Sequence, residues 1–319
     1  MEKASMGELI RHYRKQRGIS QERLAGEICT RRQLLNIENG KNVPSLELVY
    51  RFSESLNVDL LETYNTALKH NGLNTHLKYM EIDSAIRTKD DDLLEVLVHD
   101  CEHREGFQSG EPLQMILHAK SILIANAGDF CEAQNLTLRS IQVTHKDYLP
   151  SDNLTGSYSV AEIGLMIAYA IYTCLLNQRQ DGIKILDNVE KYIKSIIFNA
   201  AYIFEHQKPI WINLWCVAIY NEFSFSTSAG NEILMKINDV VDYQKKNDRI
   251  YMLVELLLCR AAILMENGEK QVAEADYQRA KVLGEFYRSA NYFSKLAQKI
   301  INLHSNICKF DVSFPEDSF

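Results

Sequence analysis

The sequence predicts an all-α protein in two parts, a compact bundle of short helices followed by an array of longer, paired ones. Three observations point there. Breakers are scarce, with 14 Gly and 5 Pro in 319 residues, which favours long helices over short strands and turns. Apolar residues recur at three- and four-residue spacing along most of the chain, the signature of one helix face. Near the N-terminus, Ser20, Thr30 and Ser45 precede such runs and Gly18 and Gly40 follow them, as N-caps and C-terminal stops should. A 46% apolar content fills real cores, and the length suits one to three domains.

Taken in order, residues 6–17 read as a first helix with Leu9, Ile10 and Tyr13 on one face and Gly18 closing it. The stretch Ile19–Gly40 has the layout of a helix-turn-helix. Ser20 caps a helix carrying Leu24, Ala25 and Ile28, a tight break follows at Cys29, and Thr30 caps a second helix ending at Asn39-Gly40. Ser45, after Pro44, opens a fourth helix with Leu46, Val49, Phe52, Ser53 and Leu56 at helical spacing, and Val58, Leu60 and Leu61 lead into a short fifth near Tyr64. This makes residues 1–66 one small domain. Residues 67–78 are polar around a Gly and read as a linker, residues 79–308 as the helical array, and 309–319 as a C-terminal tail.

Charge separates the parts. The whole chain carries −7, an unpromising value for a nucleic-acid binder. Residues 1–69, however, hold 11 Lys/Arg against 9 Asp/Glu, leaving 24 against 33 for the rest. Between Arg11 and Arg32 seven cations face two acids, Glu22 and Glu27. The basic excess is local, and the acidic bulk belongs away from phosphates. Seven cysteines stand singly with no C-x-x-C, which fits reduced thiols of a cytoplasmic protein. No signal peptide and no long apolar span are visible, so no membrane association is expected.

The run Arg14…Gly18-Ile19-Ser20-Gln21-Glu22-x-Leu24-Ala25…Ile37-Glu38-Asn39-Gly40…Pro44-Ser45 resembles the lambda-repressor/Xre type of DNA-binding domain. The segment Gly26-Glu27-Ile28-Cys29-Thr30 is one residue shorter than the commonest form of that domain. In this it is similar to the peptide-pheromone regulators of the Rgg, PlcR and PrgX type, the RRNPP group. The resemblance rests on about 65 residues, and on architecture alone beyond them. It implies a quorum-sensing transcription regulator that binds a short signalling peptide and dimerises through its helical domain. It also implies that Arg14 and Glu38 form a structural ion pair bridging the first helix to the end of the second helix of the motif.

Behind the first domain, about eleven helices group as antiparallel pairs. Helix 249–266 carries Ile250, Leu253, Val254, Leu257, Leu258, Ala261 and Leu264 as one stripe. Its partner after Gly268 carries Val272, Ala273, Tyr277, Ala280 and Leu283. A turn Gly followed by small Ala and then Tyr/Ala resembles a degenerate tetratricopeptide repeat, and the same rhythm returns at Ala119…Gly128…Ala133. The expected fold is therefore a TPR-like α-superhelical repeat domain.

The second helix of such a motif lies in the major groove, with its N-terminal residues over base edges. Here those are Thr30, Arg31, Arg32, Gln33 and, one turn on, Asn36. Arg pairs bidentately with guanine and Gln or Asn with adenine. Gln21 is placed to hold a phosphate, and Lys41 and Asn42 in the following loop are further phosphate candidates. Arg31 and Arg32 fit a plain solvated face too, but inside a capped motif a base or phosphate contact is the favoured reading. A two-fold pair of such heads reads both half-sites of a palindromic duplex, a physical motive for a homodimer. The apolar last helix, 292–307, is a plausible interface.

The inner wall of stacked helix pairs suits an extended peptide, with Asn clamping its backbone and aromatics lining side-chain pockets. Residues with that chemistry on the first helices of pairs are His118, Asn126, Tyr169, Tyr172, Asn177, Asn213, Tyr220 and Tyr251. Each also fits core packing, capping or solvent exposure. The remaining chemistry is thin. His99, Cys101 and His103 lack the convergent ligands that zinc needs. No phosphate-cradling Gly-rich loop, G-x-S-x-G or Cys–His signature stands out, so neither a cofactor nor an enzyme is expected. Two alternatives to a peptide-responsive regulator stay open. One is a helical-repeat interaction protein that binds a protein partner, the other a constitutively dimeric repressor with no ligand.

Overall fold

The computed structural model describes residues 5–150, 153–198, 207–226 and 230–303, and the side chains of 301–303 are not included. Among the described residues every regular element is helical. They fall into two compact units that meet in sequence between Tyr148 and Leu149.

The first unit begins with five helices, α1 (Met6–Gln16), α2 (Gln21–Ala25), α3 (Arg31–Glu38), α4 (Leu46–Leu56) and α5 (Leu60–Lys69). The anticipated caps are in place. Ser20, Thr30 and Ser45 each accept the backbone N–H three residues on, contacts worth about 1 kcal/mol apiece. A capping box between Ser5 and Glu8 starts α1. Helix α2 is only five residues long, because Gly26 turns at φ +38° and ends it. Ile28 therefore sits in the turn, where it still packs on the core with Cys29. That core is Leu9, Ile10, Leu24, Leu34, Ile37, Phe52, Leu56 and Leu60, all essentially inaccessible. Leu46, expected on the inner face of α4, is instead 70% exposed. Leu48 and Val49, in the same first turn, pack on the core in its place.

Two features fix α3 against α1. Gly7 has no room for a side chain, since a Cβ there would lie 1.9 Å from the Ile37 carbonyl oxygen. Arg14 meets Glu38 in a two-pronged ion pair, Nε to Oε1 at 2.6 Å and Nη2 to Oε2 at 2.9 Å. Its third arm donates to the Ile19 carbonyl. Burial pushes the Glu38 carboxyl up, but the hydrogen bonds from Arg14 and Gln21 outweigh it and hold the group below its ordinary 4.5.

Residues 67–78 are not a free tether. They comprise the end of α5, a tight turn, and the start of α6 (Leu73–Thr88), with Ala67, His70 and His76 buried. Helix α6 packs with α7 (Asp91–Cys101) and α8 (Gly110–Asn126), and α8 pairs closely with α9 (Phe130–Thr144).

The second unit contains α10 (Val160–Leu175), α11 (Arg179–Phe198), α12 (Lys208–Phe225), α13 (Asn231–Lys246), α14 (Leu253–Glu266), α15 (Lys270–Tyr287) and α16 (Ala290–Leu303). Its tightest hairpins are α10/α11 and α14/α15. At the first, a Cβ on Gly182 would reach within 2.3 Å of the Cys174 sulfur. At the second, Gly268 takes φ +84° in the turn and Ala261, Ala273 and Ala280 are buried in the crossing. Arg260 joins Asp276 across this hairpin through two bonds of 2.6 and 2.8 Å. Buried Lys236 ties α13 to Asp187 and Glu190 on α11 and to Glu222 on α12. The stripe expected from residue 249 starts later, at Leu253, leaving Ile250 and Tyr251 in an exposed turn. Val272 is also exposed, as it sits in the first turn of α15 on the side away from α14. In α16, Phe293, Ala297 and Ile300 are buried within the unit itself, so its apolar face is already covered. Residues 304–319, which include the expected tail, lie outside the described residues.

Two outcomes follow. Gly7→Ala should destabilise the chain by about 1–3 kcal/mol through overpacking, read as a lowered urea midpoint, and an unchanged midpoint would contradict the close α1–α3 approach. Glu38→Ala should cost about 3–5 kcal/mol by stranding a buried guanidinium. Because the folded carboxyl titrates below its unfolded counterpart, its stabilisation is full above pH 4.5 and fades as pH falls through the lower folded value. The gap between the wild-type and Glu38→Ala denaturation curves should thus be wide at neutral pH and narrow at acidic pH.

Candidate functional site

Helix α3 presents two opposite faces. Leu34, Ile37 and Glu38 point inward, while Arg31, Arg32 and Gln33 are exposed and Asn36 is half-buried. The helix starts at Thr30, whose hydroxyl oxygen accepts the Gln33 N–H at 3.1 Å. That leaves the Thr30 hydroxyl proton available to a phosphate. The four first-turn N–H groups and the two guanidinium groups thus share one end of the helix, where the macrodipole also favours an anion. Lys41 and Asn42 are exposed just beyond Gly40, which turns at φ +68°. The Lys41 and Asn42 backbone N–H groups both return to the Asn36 carbonyl, fixing this loop on the end of α3.

Gln21 behaves differently from expectation. One of its amide N–H groups donates to Glu38 Oε2 at 2.8 Å, which joins it to the ion pair. Arg51, half-buried on α4, donates to the Glu27 carbonyl at 3.0 Å and braces the shortened turn.

The eight residues expected to line a peptide groove scatter into distinct roles. On α8, His118 has its Nδ1 enclosed without a partner, and burial pulls the ring down to about 4, so it stays neutral. Asn126 donates to Asp91 at 2.9 Å and closes the α7–α8 contact instead of standing free. Tyr172 is buried at 8% exposure, and Asn177 takes the left-handed conformation, φ +65°, that ends α10. These three are better accounted for by packing and turn geometry.

Tyr169, Asn213 and Tyr220 are half-buried, and Tyr251 is exposed. Tyr169 lines an open pocket of about 300 Å³ with Leu149, Pro150, Ile185, Asp181 and Lys184. Tyr220 lies under Lys299, 5.8 Å from its ring centre. Burial chiefly, and the Glu255 charge in part, raise both Tyr220 and Tyr251. Tyr292 hydrogen-bonds Glu255, and Arg288 sits 5.8 Å over its ring. Sequence spacing could not find Glu255, Tyr292 and Lys299, because they come together only through the packing of α12, α14 and α16.

His99 and His103 are 87% and 86% exposed and approach only Glu102, while Cys101 is buried on the other side of the helix. No helix among the described residues is long and apolar enough to cross a membrane.

Comparison with known proteins places these features. The helix-turn-helix family HTH_3 matches residues 10–62. No curated protein sequence matches the chain. Among solved structures, PlcR of Bacillus thuringiensis in complex with the peptide PapR7 and DNA superposes with a TM-score of 0.60 at 16% identity, over 93% of this chain and 99% of that one. A Listeria monocytogenes protein, described as a candidate transcriptional regulator, gives 0.52 at 14% identity over 94% and 98%. The chain therefore carries an Xre-like helix-turn-helix domain at its N-terminus and has, over nearly its whole length, the fold of the RRNPP-type regulator PlcR.

Proposed function

We propose that this chain is a sequence-specific DNA-binding transcription regulator, dimeric on a palindromic site, whose helical domain binds a short signalling peptide in the cytoplasm. One observation carries the DNA part. The only strongly cationic stretch of an acidic chain supplies a capped α3 whose outward side is Arg31, Arg32 and Gln33. Its inward side is clamped by Arg14, Gln21 and Glu38. A rigid helix with guanidinium groups at its N-terminal end can enter a major groove without reordering. Arg31, Arg32, Gln33 and Asn36 are the base-reading residues. Thr30, Lys41 and Asn42 serve the phosphates.

The likeness in fold to PlcR, solved with a peptide and DNA, supports the peptide part, and the two-fold reading of a palindrome is the physical motive for the dimer. Within the second unit the accessible members of the anticipated set are Tyr169, Asn213, Tyr220 and Tyr251. Tyrosine and asparagine there offer aromatic pockets and amide clamps to an extended backbone. The acidic balance of residues beyond 69 favours a peptide without excess negative charge.

Arg32→Ala should weaken binding to a duplex enriched by this protein from a random pool by about 1–3 kcal/mol and relax its sequence preference. Lys41→Ala should weaken enriched and scrambled duplexes alike, both read by fluorescence anisotropy at one salt concentration. Equal effects of the two variants on both duplexes would reject the assignment. A native mass spectrum of the chain purified from its own host should show a dimer carrying a peptide-sized adduct; a bare monomer would remove the ligand and dimer parts.

A further inference from the structure

The turn between α5 and α6 gathers an unusual set of polar groups. His70, at the end of α5, is 3% exposed and His76, in the first turns of α6, is 7% exposed. Their Nδ1 atoms lie 3.0 Å apart. The other nitrogen of His70, Nε2, lies 3.2 Å from Glu111 Oε2 at the start of α8. Tyr79 stacks on the His70 ring with centres 3.9 Å apart. Asn71, between the two histidines, donates to the Gly106 carbonyl at 2.8 Å and the Ser109 carbonyl at 3.2 Å. Gly106 in turn admits no side chain, because a Cβ would meet the Thr75 hydroxyl at 2.1 Å.

Proton counting makes this chain directional. Two nitrogens 3.0 Å apart hold one proton between them, since two N–H groups would repel and two lone pairs would bind nothing. Glu111 is an acceptor, so His70 Nε2 carries a proton. Burial, with the neighbouring His70 second, pulls His76 down to about 4. His76 is thus neutral at pH 7.

We propose that Glu111, His70 and His76 form a clasp that fixes the helix-turn-helix bundle on the helices that follow it and transmits displacement of the α8 N-terminus to the reading head. All its members lie within the first compact unit. The clasp joins the last helix of the DNA-reading bundle to the first long hairpin of the array, so a shift at Glu111 pulls on α5 through a single hydrogen-bonded chain. Its regulatory meaning rests on the proposed function, but its existence does not. The histidines and Glu111 are positioning residues and touch no ligand.

Hydrogen–deuterium exchange on the full chain tests it. In Glu111→Ala the amides of 68–78 and 104–112 should exchange about tenfold faster, while those of α3 keep their wild-type rates. Glu111→Gln, whose amide oxygen still accepts from His70, should restore slow exchange. In ¹⁵N-histidine spectra a through-bond coupling between the two Nδ1 atoms should be present in wild type and Glu111→Gln. It should be absent in His76→Phe. On enriched DNA with a spacer lengthened by half a helical turn, wild type should lose binding and Glu111→Ala should tolerate the change. Unchanged exchange at the joint in Glu111→Ala, or equal acceleration throughout α3, would overturn the clasp. Failure of wild type to enrich any duplex would reject the DNA reading, and the exchange and coupling data would still decide the clasp.

Discussion

The buried pair between Arg14 and Glu38 is the constraint on which the rest of the N-terminal domain depends. Neither group could be buried alone, because an unpaired charge in a low-dielectric core costs several kcal/mol. Together, with Gln21 and the Ile19 carbonyl completing their hydrogen bonds, they fasten α1 and the start of α2 to the end of α3. The apolar core supplies most of the stabilisation, but a core of Leu, Ile and Phe is tolerant of small rotations. The directional bonds select one orientation of α3 and so fix which of its residues face outward. Gly7 serves the same end by letting the α1 backbone touch the Ile37 carbonyl.

The same device recurs in the second unit with other residues. Arg260 and Asp276 lock the α14/α15 hairpin, and Lys236 gathers Asp187, Glu190 and Glu222 from two neighbouring helices. Burial raises the Glu222 carboxyl, and the Lys236 bonds only partly offset this. In a stack of hairpins joined by similar apolar faces, such pairs set register where hydrophobic contact alone would allow sliding. Tyr169 and Tyr220 lie half-buried on the helices so held, and Tyr251 in the exposed turn before α14.

Local signals carried well from sequence to structure. Ser20, Thr30 and Ser45 cap their helices because capping is a contact within one turn. Gly18, Gly40, Gly128 and Gly268 take positive φ where a chain must reverse. What was not legible depends on partners distant in sequence. Gln21 reads as a free amide until Glu38 is seen beside it. Asn126 reads as a clamp until Asp91 is found at 2.9 Å. Residues 67–78 read as a linker from their polarity, yet His70 and His76 are buried because each satisfies the other. Two S-x-x-E capping boxes, Ser5–Glu8 and Ser159–Glu162, start α1 and α10 and are equally local signals.

An acidic chain with a small basic head separates two tasks that would interfere if mixed. A cationic surface throughout would hold DNA without discrimination, since phosphate contact carries no sequence information. Confining the net basic excess to the N-terminal stretch around α3 would keep the non-specific contribution small and leave discrimination to a few base edges. The central claim is that this α3 reads sequence. Incubating the full chain with a random duplex pool and sequencing the retained fraction tests it most directly. The account predicts enrichment of one motif with two-fold symmetry, lost in Arg32→Ala; retained DNA no different in sequence from the starting pool would contradict it.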